Sequence, residues 1–202
     1  MKILFLDLAH HDGSVACVTE KQTIVRRVVD RRLRDDGLVP LIDEVLAEAK
    51  WKAEDLTSIA CVTGPGGFTS LRVAVATANA LAWERKIPVR AVHGSDLWAA
   101  RLESPDALWF HSTRLDQVFA RGFGTHATLW SDPALKTLND ILAAAPKGAA
   151  WVGELIPAHA EALAPLGLLP AALKSIEEVL PDLLARAPEA PAPIDPWYGR
   201  GY

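Results

Sequence analysis

The segment VTGPGGFTSLRVAVATANALAWE, Val62–Glu84, sets three glycines and a proline between a β-branched run and a long alanine-rich stretch. Strand, sharp turn and helix in that order make up a crossover unit, so the segment predicts a buried strand and the helix that covers it. A Gly-rich turn opening a helix also admits an anion, because backbone N–H groups point outward there. The spacing argues against that use. A Walker-type loop ends in Gly-Lys-Ser/Thr, whereas Phe68-Thr69-Ser70 follows the glycines here with no lysine near. The dinucleotide fingerprint needs a third glycine where Thr69 stands. Gly64, Gly66 and Gly67 therefore read as a sharp turn, stiffened by Pro65, with Phe68 packing down and Thr69 or Ser70 capping the helix.

The helix that follows carries an unusual distribution. Leu71, Val75, Ala78 and Ala82 form one apolar face, yet Val73, Ala74, Ala76, Thr77 and Ala80 leave almost no strongly polar side before Glu84 and Arg85. A helix apolar nearly all round must be covered on two sides. One cover is its own sheet. The other is a second chain or another part of this one, with the stripe Arg72, Ala76, Asn79 and Trp83 as the outer face.

Working toward the N-terminus, "LTSIACVTG" supplies the strand that enters the turn, and Leu38, Leu41, Ile42, Val45, Leu46 and Ala49 recur at helical spacing behind Asp36 as a cap. Pro40 is tolerated in that helix's first turn, and Asp43, Glu44 and Glu48 face away. Before it, "KILFLDLA", "SVACVTE" and "TIVRRVVDR" read as three antiparallel strands, the first two joined at Asp12-Gly13. Toward the C-terminus, "IPVRAVHG" gives another strand and Ser95 caps a short helix, "DLWAARL".

After Pro105 the pattern restarts. "DALWFH", "QVFARGFG" and "ATLW" read as strands, "DPALKTLNDILAAA" as a helix and "GAAWVGELI" as a strand. A further helix, "PAALKSIEEVLPDLLARA", is expected to break near Pro181, ahead of the extended, proline-rich tail "PEAPAPIDPWYGRGY". Three antiparallel strands continued by strand-helix crossovers, written twice, predict an α/β protein of the ribonuclease H-like or actin-like ATPase fold: two duplicated lobes, each a mixed sheet flanked by helices. The expected lobes are 1–103 and a smaller 104–202.

A length of 202 residues, half of them apolar, suits a globular core, and a net charge of −4 argues against unaided grip on a nucleic acid backbone. The two cysteines, Cys17 and Cys61, sit in apolar runs at no metal-ligand spacing and imply a reducing, cytoplasmic setting. No membrane-spanning stretch is read.

The run "GPGGFTSLRVAVATANALA", with "LTSIACVTG" before it and "IPVRAV" after it, resembles the Gly-Pro-Gly-Ser-Phe-Thr-Gly-Leu-Arg segment of the TsaB (YeaZ) family. "KILFLDLAHHDGSVACV" is similar to that family's first hairpin and "LVPLIDEVLAEA" to its first long helix; beyond Pro105 the likeness thins. The resemblance implies a two-lobed actin-like fold and a role in making threonylcarbamoyladenosine on transfer RNA. It implies a non-catalytic subunit that supports the catalytic subunit TsaD, with the ATPase TsaE joining through the complex and tRNA met only indirectly. The first two helices would pair with those of TsaD or of a second copy, placing Asp36, Val39, Asp43, Leu71, Arg72, Val75, Ala76, Asn79 and Trp83 at the contact. The turn residues Gly64, Pro65, Gly66, Gly67, Phe68 and Thr69 would aim the second helix. No cofactor is expected within the chain, a nucleotide being admitted only at a subunit boundary.

Two departures stand out. Asp7-Leu8-Ala9-His10 replaces the family's Asp-Thr-Ser-Thr, removing hydroxyls that approach a phosphate, and Arg34-Asp35-Asp36 replaces His-Ser-Glu before the first helix. Asp7 remains the one candidate for a residual nucleotide contact. His10, His11 and Asp12, even with His93 or His111, lack metal-site spacing and read as a solvated turn, so no metal is assigned. The alternative of another class is a small ATPase or phosphotransferase of the same fold. Strands and core account for most of the aromatic residues, and Trp197-Tyr198, in the proline-rich tail, are the exception, a candidate anchor for a partner.

Overall fold

A computed structural model describes residues 1–29 and 37–199, which form two compact units. The first comprises Met1–Gly94 and Ser175–Tyr198, and the second Ser95–Lys174 with Gly199.

In the first unit the apolar run KILFL becomes β1 (Lys2–Leu6), buried along its length because it lies mid-sheet. It pairs antiparallel with β2 (Ser14–Thr19) and parallel with β4 (Ser58–Gly64). β3 (Thr23–Val28) adds antiparallel to β2, and β5 (Val89–His93) parallel to β4. Helices α1 (Leu38–Glu48) and α2 (Phe68–Arg85) share one sheet face, where Leu38, Ile42 and Val45 join Ala74, Val75 and Ala78 over Leu4, Cys17 and Ile59. Each large side chain buried there contributes about 1.5–3 kcal/mol.

α3 (Gly94–Arg101) leads into the second unit, which repeats the topology. β6 (Ala107–Ser112) pairs antiparallel with β7 (Gln117–Phe123) and parallel with β9 (Ala150–Glu154). β8 (Ala134–Thr137) adds to β7, and the two-residue β10 (Leu169–Pro170) runs parallel to β9. The strand orders β5-β4-β1-β2-β3 and β10-β9-β6-β7-β8 are the same order written twice. α4 (Leu138–Ala144) and α5 (Pro157–Leu163) cover Leu108, Phe110 and Val118 through Ile141 and Leu163. Two mixed sheets flanked by helices, duplicated, are the actin-like arrangement expected from the sequence.

Several boundaries differ from expectation. The third strand of the second sheet is Ala134–Thr137 rather than the ATLW run, and α4 starts only at Leu138. Pairing with Gln117–Ala120 makes a strand of ALKT despite its helix-forming residues. α5 was not expected; Pro157 occupies its first turn, where a missing N–H costs nothing.

The end of the chain also departs from a 104–202 grouping. α6 (Ile176–Arg186) packs on β2 and β3, and β11 (Glu189–Ala190) extends the first sheet beside β5. Arg90, buried in β5, draws this segment in: its guanidinium donates to the carbonyls of Leu184 and Ala187 at 3.0 and 2.5 Å and pairs with Glu189. A cation is well placed at the carbonyl end of a helix. Pro181 lies inside α6 without breaking it. Proline cannot donate to the carbonyl four residues back, and Thr23 Oγ1 fills that gap by donating to Glu177 O at 2.9 Å.

Candidate partner-binding site

The glycine turn is a packing device. Gly64 has φ +139°, a conformation that side chains rarely adopt, and a Cβ on it would meet the Trp197 carbonyl oxygen at 2.5 Å. A Cβ on Gly66 would lie 2.7–2.9 Å from Ala9. Two backbone segments thus press on the turn, and each requires glycine. Gly67 is the N-cap of α2, with no side-chain cap, so neither Thr69 nor Ser70 caps the helix. Phe68 does not pack down either: as the first helical residue it projects at 59% exposure, with Tyr198 at 5.4 Å between ring centroids and the Arg72 guanidinium 5.1 Å from its ring.

Asp7 closes the end of β1 onto itself. Its Oδ1 accepts from the N–H groups of Ala9 at 2.9 Å and His10 at 3.3 Å, and its Oδ2 lies 2.8 Å from His10 Nδ1. Both side chains are 1% exposed, so His10 is turned inward rather than solvated. Burial opposes ionisation of Asp7, but the adjacent His10 charge and these hydrogen bonds outweigh it and hold the carboxyl below its ordinary value. Asp7 therefore braces a turn, and its oxygens are engaged within it.

The exposed flanks of α1 and α2 are where the sequence placed a contact. On α2, Arg72, Ala76, Ala80 and Trp83 are exposed, Trp83 to 76%; on α1, Val39 is 57% exposed and Asp43 is exposed. Leu71 and Val75 are instead buried, on the same inward side of the helix as Ala74 and Ala78, and Val75 joins those two in the core over the unit's own sheet. Asn79 is half-buried and committed elsewhere: its Nδ2 donates to Ile194 O and its Oδ1 accepts from Ile194 N–H, both at 2.9 Å. Asp36 lies outside the described residues, and the observed N-cap of α1 is Gly37. At the C-terminal end of α2 a groove of about 600 Å³ is walled by Trp83, Lys86, Ile87, Pro88, Ala190 and Pro191, far from the glycine turn.

Among the described residues no group of three or more His, Cys, Asp and Glu side chains could hold a metal. Cys17 and Cys61 are buried; burial pushes the Cys17 thiol up to about 12, and burial with the nearby Asp7 charge raises Cys61 as well. Neither is set up as a nucleophile. No helix among the described residues is long and apolar enough to cross a membrane.

The model of the TsaD family, described as tRNA N6-adenosine threonylcarbamoyltransferase, matches residues 16–132. The chain is 27% identical over 110 residues to the tRNA threonylcarbamoyladenosine biosynthesis protein TsaB of Bacillus subtilis, covering 54% of this chain and 48% of that one. It is 43% identical over 70 residues to a tRNA N6-adenosine threonylcarbamoyltransferase of Legionella pneumophila, covering 34% of this chain and 21% of that enzyme. The match thus spans about half of the TsaB and a fifth of the transferase. A crystal structure of a Pseudomonas aeruginosa protein with similarity to peptidase YeaZ superposes with a TM-score of 0.73 at 23% identity, covering 98% of this chain and 99% of that one, a likeness of fold. With the family match running through more than half of its length, the chain belongs to the TsaD family, and it is similar in sequence both to a TsaB and to the transferase itself.

Proposed function

We propose that this protein is a non-catalytic assembly subunit in the making of threonylcarbamoyladenosine on tRNA, presenting α1 and α2 to a TsaD-like catalytic subunit. The observation that carries the reading is the solvent-facing flank of α2, where Trp83 stands 76% exposed on a stripe continued by Ala80, Ala76 and Arg72. Small residues allow close approach of a partner helix, and an exposed indole is an effective interface anchor. Val39 and Asp43 of α1 lie on the exposed side of the neighbouring helix. A TsaE-like ATPase would join through the complex, and a second copy of this chain is the competing occupant of the same flank. With a net charge of −4, the chain would meet tRNA through its partner.

Asp7 supports a supporting rather than a chemical role, since both its oxygens are committed inside the turn and Leu8-Ala9-His10 offers no hydroxyl to a phosphate. The test is co-purification with a TsaD-like subunit. Ala76→Arg should abolish the complex while leaving the thermal unfolding of the isolated chain unchanged. A chain that stays monomeric and indifferent to that partner overturns the reading. Micromolar Mg-ATP binding to the isolated chain, lost in Asp7→Ala, would favour the small-ATPase alternative instead.

A further inference from the structure

We infer that the segment Ile194–Tyr198 is a strap that locks the pose of α2, so that the end of the chain sets the geometry of the helix at its centre. Three attachments carry this. Asn79, in the middle of α2, grips the backbone of Ile194 through both atoms of its amide, and Ile194 itself is buried in the core that α1 and α2 share. Trp197 donates its backbone N–H to Thr63 O at 2.8 Å, bridging the tail to the end of β4, one residue before the glycine turn opens. Its ring stands edge-on to His93 at 4.4 Å, at the end of the neighbouring strand. Tyr198 then reaches Phe68, the first residue of α2.

The attachments follow one path: the end of the strand that leads into α2, the first residue of α2 and its middle. The entry is otherwise weakly defined, because α2 starts without a side-chain cap and with no acidic residue in its first turn. A helix so begun is free to fray or tilt unless something outside it holds the first turns. Gly64 fits this account: its bare Cα lets the Trp197 carbonyl sit where a Cβ would be, so the turn is shaped around the strap. Ordered extended segments are held by just such backbone and aromatic contacts, and their release is local rather than global. Asn79, read from the sequence as part of an outer stripe, is thereby a positioning residue for the helix.

The consequence for assembly rests on the function proposed above: a loosened α2 should bind its partner less tightly. Hydrogen exchange on the isolated full-length chain tests the strap itself, independently of any partner. In Asn79→Ala, in Trp197→Ala and in a chain ending at Asp195, the amides of Leu71–Ala78 should exchange about tenfold faster or more. Those of α1, β6 and β7 should keep their rates, which separates local release from general unfolding. Unchanged exchange in α2 for all three variants overturns the inference. A general rise across both units would overturn it too, since the tail would then be part of the global fold rather than a local lock. If α2 loosens but the full-length chain captures no TsaD-like subunit, the strap stands and the functional proposal falls.

Discussion

The two units solve one construction problem differently. In each, a helix joins the second parallel strand to the third, but α2 runs for 18 residues and α5 for 7. The ends of their first strands differ in step. Asp7 follows the last residue of β1 paired to β4 and folds inward on its own turn. Ser112, at the same place relative to β9, reaches across instead: it accepts from Ile156 N–H at 2.9 Å and lies 2.9 Å from His159 Nδ1 in α5. His159 Nε2 in turn lies 2.7 Å from Leu115 O. The second unit pins its short helix with the Ser112 side chain at the neighbouring strand end and the Leu115 carbonyl just beyond it. The first leaves its long helix unpinned at that point and positions it through glycine packing and a distant tail. Pro157, Ala158, Ala160 and Glu161 of α5 are exposed as well, so the difference lies in extent: the exposed stripe of α2 runs from Arg72 through Ala76 and Ala80 to Trp83, about three turns.

That contrast can be broken at its strongest point first. Asp7→Ala strips the acceptor from three hydrogen bonds inside a buried turn and is expected to cost about 3–5 kcal/mol in urea unfolding. Ser112→Ala in the second unit should cost about 1–2 kcal/mol. The Asp7 carboxyl is held below its ordinary 3.8 when folded, so its contribution is present above that value and is lost as pH falls through the lower folded one. The gap between wild type and Asp7→Asn should accordingly narrow in unfolding curves taken below about pH 4.

Gly64→Ala comes next, at about 2–3 kcal/mol, because a strained φ of +139° coincides with the Trp197 carbonyl. Gly148→Ala provides the control. Its φ is +71° but nothing lies within 4 Å of the added carbon, so about 1 kcal/mol is expected from the same thermal melts. Thr137→Ala removes the capping box that Thr137 and Asp140 form at the start of α4 and should cost about 1 kcal/mol by denaturant titration. The smallest effect sharpens the comparison from the other side. Gly67→Ser would give α2 the cap it lacks, in a site whose nearest neighbours are Ser70 atoms at 3.6 and 3.9 Å, for a gain of a few tenths of a kcal/mol.

Periodicity revealed the inner face of α2 because Leu71, Val75, Ala78 and Ala82 follow the 3.6-residue repeat directly, and Arg72, Ala76 and Trp83 lie opposite as that repeat requires. Asn79 was misplaced for a nonlocal reason, since its partner Ile194 is 115 residues away. Phe68 was expected inside because apolar residues usually are, and the ring that accompanies it, Tyr198, comes from a tail whose course no local pattern encodes. Duplication was readable from the recurring order of strands and helices. The fate of residues 175–198 was not, because the decisive contacts are Arg90 with the carbonyls ending α6 and Thr23 with the carbonyl orphaned by Pro181. α5 leaves little trace in the sequence, because PAHAEAL is only seven residues long and rich in alanine, with two large side chains, His159 and Leu163, turned inward.

Because the first unit takes in Ser175–Tyr198, Met1–Gly94 is synthesised well before the segment that completes its sheet. The ribosome delivers Ser95–Lys174 as one almost complete package, whereas the opening ninety-four residues must wait with the outer edge of β5 unpaired and Arg90 without its carbonyl partners. Nascent chains stalled before Ser175 should therefore show Ser95–Lys174 protected and Met1–Gly94 protease-sensitive, so that of the two units the one begun first is completed second.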